Sequence, residues 1–131
     1  MTASIERDLV IVACAVSAGI HAALTPDHFQ EAAGAGGGFL VAAILLGALA
    51  LVLTRWPSGA ALATAVLVLT GLIVSYALVL TTGVPGLHPE VEPLDGLALV
   101  TKLFEAAGAL AALDLLRAPA RSPLRLKGTL A

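Results

Sequence analysis

Residues 59–82 read GAALATAVLVLTGLIVSYALVLTT, a run of 24 residues without a charged side chain. A helix needs about 20 residues to cross the hydrocarbon core of a bilayer, so this stretch predicts a transmembrane helix with length to spare for tilting. Three further apolar runs approach that length, at Leu9 to Leu24, Gly37 to Thr54 and Leu97 to Leu116. The sequence therefore predicts an all-α polytopic membrane protein, folded as a four-transmembrane-helix bundle.

The composition of the whole chain supports this class. Of its 131 residues 59% are hydrophobic and 12% charged, and the mean hydropathy is +0.99. A soluble domain is normally about one quarter charged, so the lipid bilayer is the expected partner of this chain. The net charge of −2 provides no basic field, which excludes nucleic acid as a partner. The single cysteine, Cys14, excludes an internal disulfide and a cysteine-based metal cluster.

The positions of the basic residues predict the orientation. With four spans drawn, Arg7, Arg55 and Arg117 fall on one side of the membrane, together with the basic residues of the tail. Lysine and arginine collect on the cytoplasmic side, so both termini are expected there. We expect a transmembrane domain at residues 1–118 and a basic cytoplasmic tail at 119–131. Low lysine relative to arginine and many Ala, Leu, Val and Gly residues are typical of a high-GC bacterial genome, which makes a plasma membrane the expected location.

The other side of the membrane is expected to be acidic. The sequence Thr25-Pro26-Asp27 is typical of a helix start, with a capping hydroxyl, a proline and a first-turn acid. It predicts a short extracytoplasmic interfacial helix from Pro26 toward Ala33. The acidic residues of this side are Asp27, Glu31, Glu90, Glu92 and Asp95.

All three histidines are expected at this acidic side. On the predicted interfacial helix His28 and Glu31 are three residues apart and share a face. Together with His21 and His88 they form a candidate metal site, because imidazole and carboxylate ligands suit zinc, copper(II), nickel or iron(II). The alternative interpretation is that these acids only cap helices and form a solvated surface.

The fourth predicted span contains a charged pair. Lys102 and Glu105 are three residues apart, and Glu105 lies about 12 Å below Leu97, near the bilayer midplane. An ionised group at that depth costs at least about 2.5 kcal/mol, so both side chains are expected to face the bundle interior. The pair predicts either a proton or ion relay, or a pocket for a polar ligand, or an internal ion pair that only fixes the helix register.

A polar stripe marks the expected inner face of the first span. Cys14, Ser17 and His21 follow at intervals of three and four residues. If this stripe packs against the fourth span, His21 lies above Lys102 and a polar path leads from the acidic side to Glu105.

Two segments carry a resemblance to a known group of proteins. HAALTPDHF at residues 21–29 and GLHPEVEPLDGLALVTKLFE at residues 86–105 resemble small, uncharacterised four-span membrane proteins of actinobacterial type. The resemblance covers these two segments and implies no activity.

The sequence leaves three functions open. It contains no nucleophile elbow, phosphate-binding loop or zinc-protease motif, which makes an enzyme the less favoured class. The leading hypothesis is a small helper or interaction subunit, working as a homo-oligomer or within a larger membrane complex. The alternatives are proton-coupled transport or permeation of a small solute through a bundle centred on Glu105, and extracytoplasmic transition-metal binding by the histidine and carboxylate site.

Overall fold

The computed structural model describes residues 2–87 and 90–118. Within these residues the chain forms four helices, α1 (Ala3–Glu31), α2 (Ala33–Arg55), α3 (Gly59–Thr81) and α4 (Gly96–Arg117). Each is long and apolar enough to cross a membrane. The all-helical fold and the four candidate spans are therefore confirmed. The predicted basic tail, residues 119–131, lies outside the described residues.

The four helices pack around a shared apolar core. α1 packs against α2 and α4, and α4 packs against α1 and α3, whereas α1 and α3 barely touch. The first and last helices are thus neighbours, as in many antiparallel four-helix bundles. The core joins all four helices and consists of Val10, Cys14, Leu46, Leu49, Leu53, Ala61, Ala65, Leu69, Ala111 and Ala112.

The two ends of the bundle differ in charge. The basic end holds the start of α1, the turn between α2 and α3, and the end of α4, with Arg7, Arg55 and Arg117. The acidic end holds the end of α1, the start of α2, the end of α3 and the start of α4. The apolar core fills the half of the bundle nearer the basic end, because its α2 and α3 members flank the turn between those helices.

The acidic end differs from the sequence prediction at α1. This helix continues past Pro26 to Glu31, so residues 26–31 extend α1 and do not form a separate interfacial helix. The reason lies at Thr25, whose hydroxyl donates to the His21 carbonyl at 2.7 Å inside the helix and does not cap a new one. Thr25 is also buried against the bundle, which keeps this turn in place.

The glycine-rich segment at residues 34–38 lies inside α2, although the second apolar run of the sequence begins only at Gly37. Only Ala32, with φ −157° and ψ 137°, separates α1 from α2, and the glycines that follow it are helical. A Cβ at Gly34 would overlap the carbonyl of Gly86, and one at Gly36 would overlap the Phe29 ring. These glycines therefore allow α2 to approach its neighbours closely.

Helix α4 begins as its sequence predicts. The Asp95 carboxylate accepts a hydrogen bond from the Ala98 backbone N–H at 3.0 Å, which caps the helix. This cap sets the residue at which α4 starts. It therefore also sets how far along the helix, from the acidic end of the bundle, Lys102 and Glu105 lie.

Candidate functional site

Glu105 is the centre of a buried polar cluster where α4 meets α1. Its side chain is 0% exposed. The Ser17 hydroxyl donates to Oε1 at 2.6 Å, and the Lys102 ammonium donates to Oε2 at 2.6 Å. Each carboxylate oxygen thus has a donor, which is what a buried carboxylate requires. The structure thus brings the polar stripe of α1, through Ser17, into contact with the Lys102–Glu105 pair of α4.

His21 lies one turn beyond Ser17, toward the acidic end. It is 6% exposed, and its Nδ1 lies 2.8 Å from the Ser17 carbonyl and 3.3 Å from the Ser17 hydroxyl. Since a carbonyl only accepts hydrogen bonds, Nδ1 must carry the proton in this contact. Nε2 then becomes the ring atom that is able to accept a proton or bind a cation.

Lys102 lies between the buried cluster and the cavity described below. Its side chain is 16% exposed, and its Nζ lies 5.6 Å from the centre of the Tyr76 ring, within the range of a cation–π contact. The Tyr76 hydroxyl is buried, and it has no hydrogen-bond partner among the residues that the structure describes. Tyr76 could not be selected from the sequence, because its place beside Lys102 depends on how α3 packs against α4.

A cavity of about 990 Å³ occupies the acidic half of the bundle. It is bounded by the halves of the four helices that lie toward the acidic end and by parts of the segment between α3 and α4. This volume is at the upper end of what small-molecule sites usually offer. Its walls are largely apolar, and its polar lining consists of His21, His28, Glu31, Ser75, Tyr76, Glu90, Glu92, Asp95, Thr101 and Lys102.

The cavity therefore joins the two polar regions of the molecule. Carboxylates occur on its lining where the helices end, and Lys102 lies about two helical turns deeper along α4. Glu105 lies immediately behind Lys102 and does not line the cavity. Lys102 is thus a lining residue that contacts Glu105 directly.

A second cluster lies at the mouth of this cavity. One ligand atom each from His28, Glu31 and Glu92 lies within 4.8 Å of the other two. His28 Nδ1 is 3.8 Å from Glu31 Oε2, and the His28 ring stands edge-on to the Phe39 ring at 3.7 Å between centroids.

The predicted metal ligands are thus partly brought together. His28 and Glu31 are neighbours, but His21 is outside the cluster because its ring is turned to Ser17. His88, the remaining candidate, lies outside the described residues. The sequence predicts Glu92 as an acid of this side but not as a metal ligand. Its position depends on the fold of the segment before α4, where its backbone N–H donates to the Val79 carbonyl at 3.3 Å.

Comparisons with known proteins add no family to this description. No protein-family model matches the chain, and neither the curated proteins nor the solved structures contain a match. The function is therefore argued from the geometry of the site.

Proposed function

We propose that this protein mediates proton-coupled permeation of a small polar solute, with Glu105 as the group that exchanges the proton. The observation that carries the proposal is the position of Lys102, which lines the cavity and at the same time pairs with the buried Glu105 carboxylate. A solute that enters from the acidic end passes the carboxylates at the cavity mouth and then meets Lys102, which directly contacts Glu105.

The pair provides a way to couple solute and proton. While Glu105 is ionised, its carboxylate holds the Lys102 ammonium at 2.6 Å. When Glu105 takes up a proton, this ion pair loses its negative partner, and Lys102 becomes available to a hydrogen-bond acceptor on the solute. Ser17 continues to hold the carboxyl group through Oε1, so the protonated side chain keeps its place.

The other half of the bundle acts as the barrier. Below Glu105 the helices meet in the apolar core, with Val10, Cys14 and Leu69 fully buried. A polar solute cannot cross this region without a change in helix packing, because a polar group in an apolar interior costs several kcal/mol when its hydrogen bonds are lost. In the proposed permeation cycle, this arrangement is the form that is open toward the acidic end.

Two simpler interpretations explain less of the site. An ion pair that only fixes helix register needs no cavity beside it. A helper subunit needs apolar outer faces, and exposed Leu67, Leu103 and Leu110 provide them. The same faces are required by lipid alone, so they do not favour a protein partner.

The test is proton movement in liposomes that contain the purified protein and an enclosed pH dye. An inside-negative potential is applied, and amino acids, sugars and organic acids are added outside in turn. We expect at least one class to accelerate proton entry with the wild type, and Glu105→Gln to abolish this acceleration. Asp114→Asn is the matched control, because it removes an exposed carboxylate from the same helix.

Two results would contradict the proposal. The first is a solute-dependent rate that is the same in wild type and Glu105→Gln. The second is a wild-type rate that stays at the level of protein-free liposomes with every solute class, which would favour the helper function.

A further inference from the structure

The geometry points to a divalent transition-metal site at the mouth of the cavity, formed by His28, Glu31 and Glu92. This inference does not depend on the proposed permeation, because its ligands belong to a different cluster from Ser17, Lys102 and Glu105.

The spacing of the three side chains suits a zinc-type ion. In a tetrahedral site with ligand bonds near 2.1 Å, neighbouring ligand atoms are about 3.4 Å apart. The ligand atoms here lie within 4.8 Å of one another, and His28 Nδ1 and Glu31 Oε2 are 3.8 Å apart. These separations exceed the tetrahedral value of about 3.4 Å by at most about 1.4 Å.

Different parts of the fold hold the three ligands in place. His28 and Glu31 share one face in the last turn of α1. Glu92 comes from the segment before α4, and the hydrogen bond of its backbone N–H to Val79 ties that segment to α3. The Phe39 ring of α2 borders the His28 ring and limits its rotation. A bound ion would thus join α1 to the segment that leads into α4.

The electrostatic surroundings favour a cation. The carboxyl end of α1 carries the partial negative charge of the helix dipole, and the ligands belong to this last turn. Asp27, Glu90 and Asp95 add negative charge at the same end of the bundle. The sequence has no lysine or arginine between Arg7 and Arg55, or between Arg55 and Lys102.

The ligand chemistry selects among metals. One imidazole and two carboxylates suit zinc and the neighbouring divalent ions, whereas copper(I) prefers thiolate or thioether ligands. Three protein ligands leave one coordination position open, which is the arrangement of zinc sites that accept water or a further ligand. This open position would lie at the entrance of the cavity.

The test measures zinc binding to the full chain, purified in mild detergent without an affinity tag. Calorimetry with zinc chloride is expected to give one ion per chain, and cobalt(II) is expected to give the intense visible absorption of a tetrahedral site. Glu31→Gln with Glu92→Gln should weaken zinc binding at least about 100-fold, which corresponds to about 2.8 kcal/mol. His28→Gln alone should remove the cobalt absorption.

The matched control is Asp27→Asn with Glu90→Gln. It removes the same two charges from the same end of the molecule and leaves the three ligands intact, so binding should change by less than about threefold, a shift of about 0.7 kcal/mol. Equal weakening in both double variants would overturn the inference in favour of a diffuse acidic surface. Absence of binding to the wild type, or cobalt absorption that survives His28→Gln, would overturn it as well.

A further variant separates this site from the proposed permeation. Glu105→Gln should bind zinc as the wild type does. If zinc binding is intact while solute-dependent proton entry is absent in the wild type, the permeation proposal fails and the metal site stands. If proton entry is present and zinc binding is absent, the reverse holds.

Discussion

At the scale of single residues, Glu105 combines complete burial with complete hydrogen bonding. Taking a carboxylate and an ammonium out of water costs several kcal/mol each, and mutual attraction offsets this cost only when the geometry is good. Here Ser17 and Lys102 both donate at 2.6 Å. The stability of the bundle should therefore depend on whether each buried charge keeps its partner, more than on whether the charges are present at all.

This balance predicts opposite effects for single and double variants. Lys102→Met leaves a buried carboxylate without its cation and should lower the free energy of unfolding by about 3 kcal/mol. Adding Glu105→Gln to Lys102→Met removes the uncompensated charge and should restore most of the loss. Denaturation in detergent, followed by circular dichroism, measures both. A double variant no more stable than Lys102→Met would show that the pair contributes packing and not charge balance.

At the scale of helices, the close contact of α1 and α4 brings Ser17 to Glu105. Gly108 faces Ala13, and a Cβ at Gly108 would lie 2.5 Å from the Ala13 Cβ and 3.1 Å from a Leu69 methyl carbon. Small residues at a helix crossing allow such an approach in membrane proteins. Gly108 and Ala111 of α4 are both small and buried.

Gly108→Ala should therefore destabilise the bundle and loosen the Glu105 cluster. Overpacking of this kind costs about 1 to 3 kcal/mol, and the melting temperature in detergent should fall. Gly71→Ala is the matched control, because a Cβ there meets nothing within 4 Å. A similar change in melting temperature for both variants would mean that the α1–α4 contact adjusts without cost.

The helices were predictable from sequence to different degrees. α3 and α4 agree with their expected spans within one residue at each end, since Trp56-Pro57-Ser58 and the Asp95 cap give clear local boundaries. α1 and α2 extend well beyond theirs. Local rules place a helix start at Pro26 and the second span only from Gly37. In the structure both segments are helical, and Gly36 lies against the Phe29 ring and Gly34 against Gly86.

The residues of the candidate site also differ in how far they could be predicted from local sequence. Helical spacing is a local property, so the faces shared by Ser17 with His21 and by Lys102 with Glu105 could be predicted. Glu92 could not be assigned because its position depends on the contact of the segment before α4 with α3, and Tyr76 could not be assigned because its position depends on the packing of α3 against α4. The roles of all these residues stay predictions.

At the scale of the whole molecule, the opposite charges of the two ends predict its orientation. Four candidate spans are compatible with a multi-pass membrane protein. The positive-inside rule predicts that the basic end faces the cytoplasm. The homo-oligomer or larger complex expected from the sequence likewise stays a prediction.

Cysteine labelling from outside intact cells tests the orientation. In a Cys14→Ala background, an impermeant maleimide should modify Asp27→Cys and Glu90→Cys, which are exposed at the acidic end. It should spare Pro57→Cys until the cells are opened. Labelling of Pro57→Cys in intact cells, with protection of the other two, would invert the orientation and turn the cavity mouth toward the cytoplasm.

The Ser17–Glu105 hydrogen bond also has a consequence for biosynthesis. The two residues are 88 positions apart, so the ribosome completes α1 long before α4 emerges. α4 is the least apolar of the four candidate spans, and a lysine or acidic residue at a helix centre opposes insertion by about 2.5 to 3.5 kcal/mol. An α1 already inserted would supply a hydrogen-bond donor for the α4 carboxylate and an apolar surface that excludes lipid from it. The first span would then assist the membrane integration of the last one. When α4 leaves the translocation machinery, it would pack directly against the α1 that was inserted earlier in synthesis.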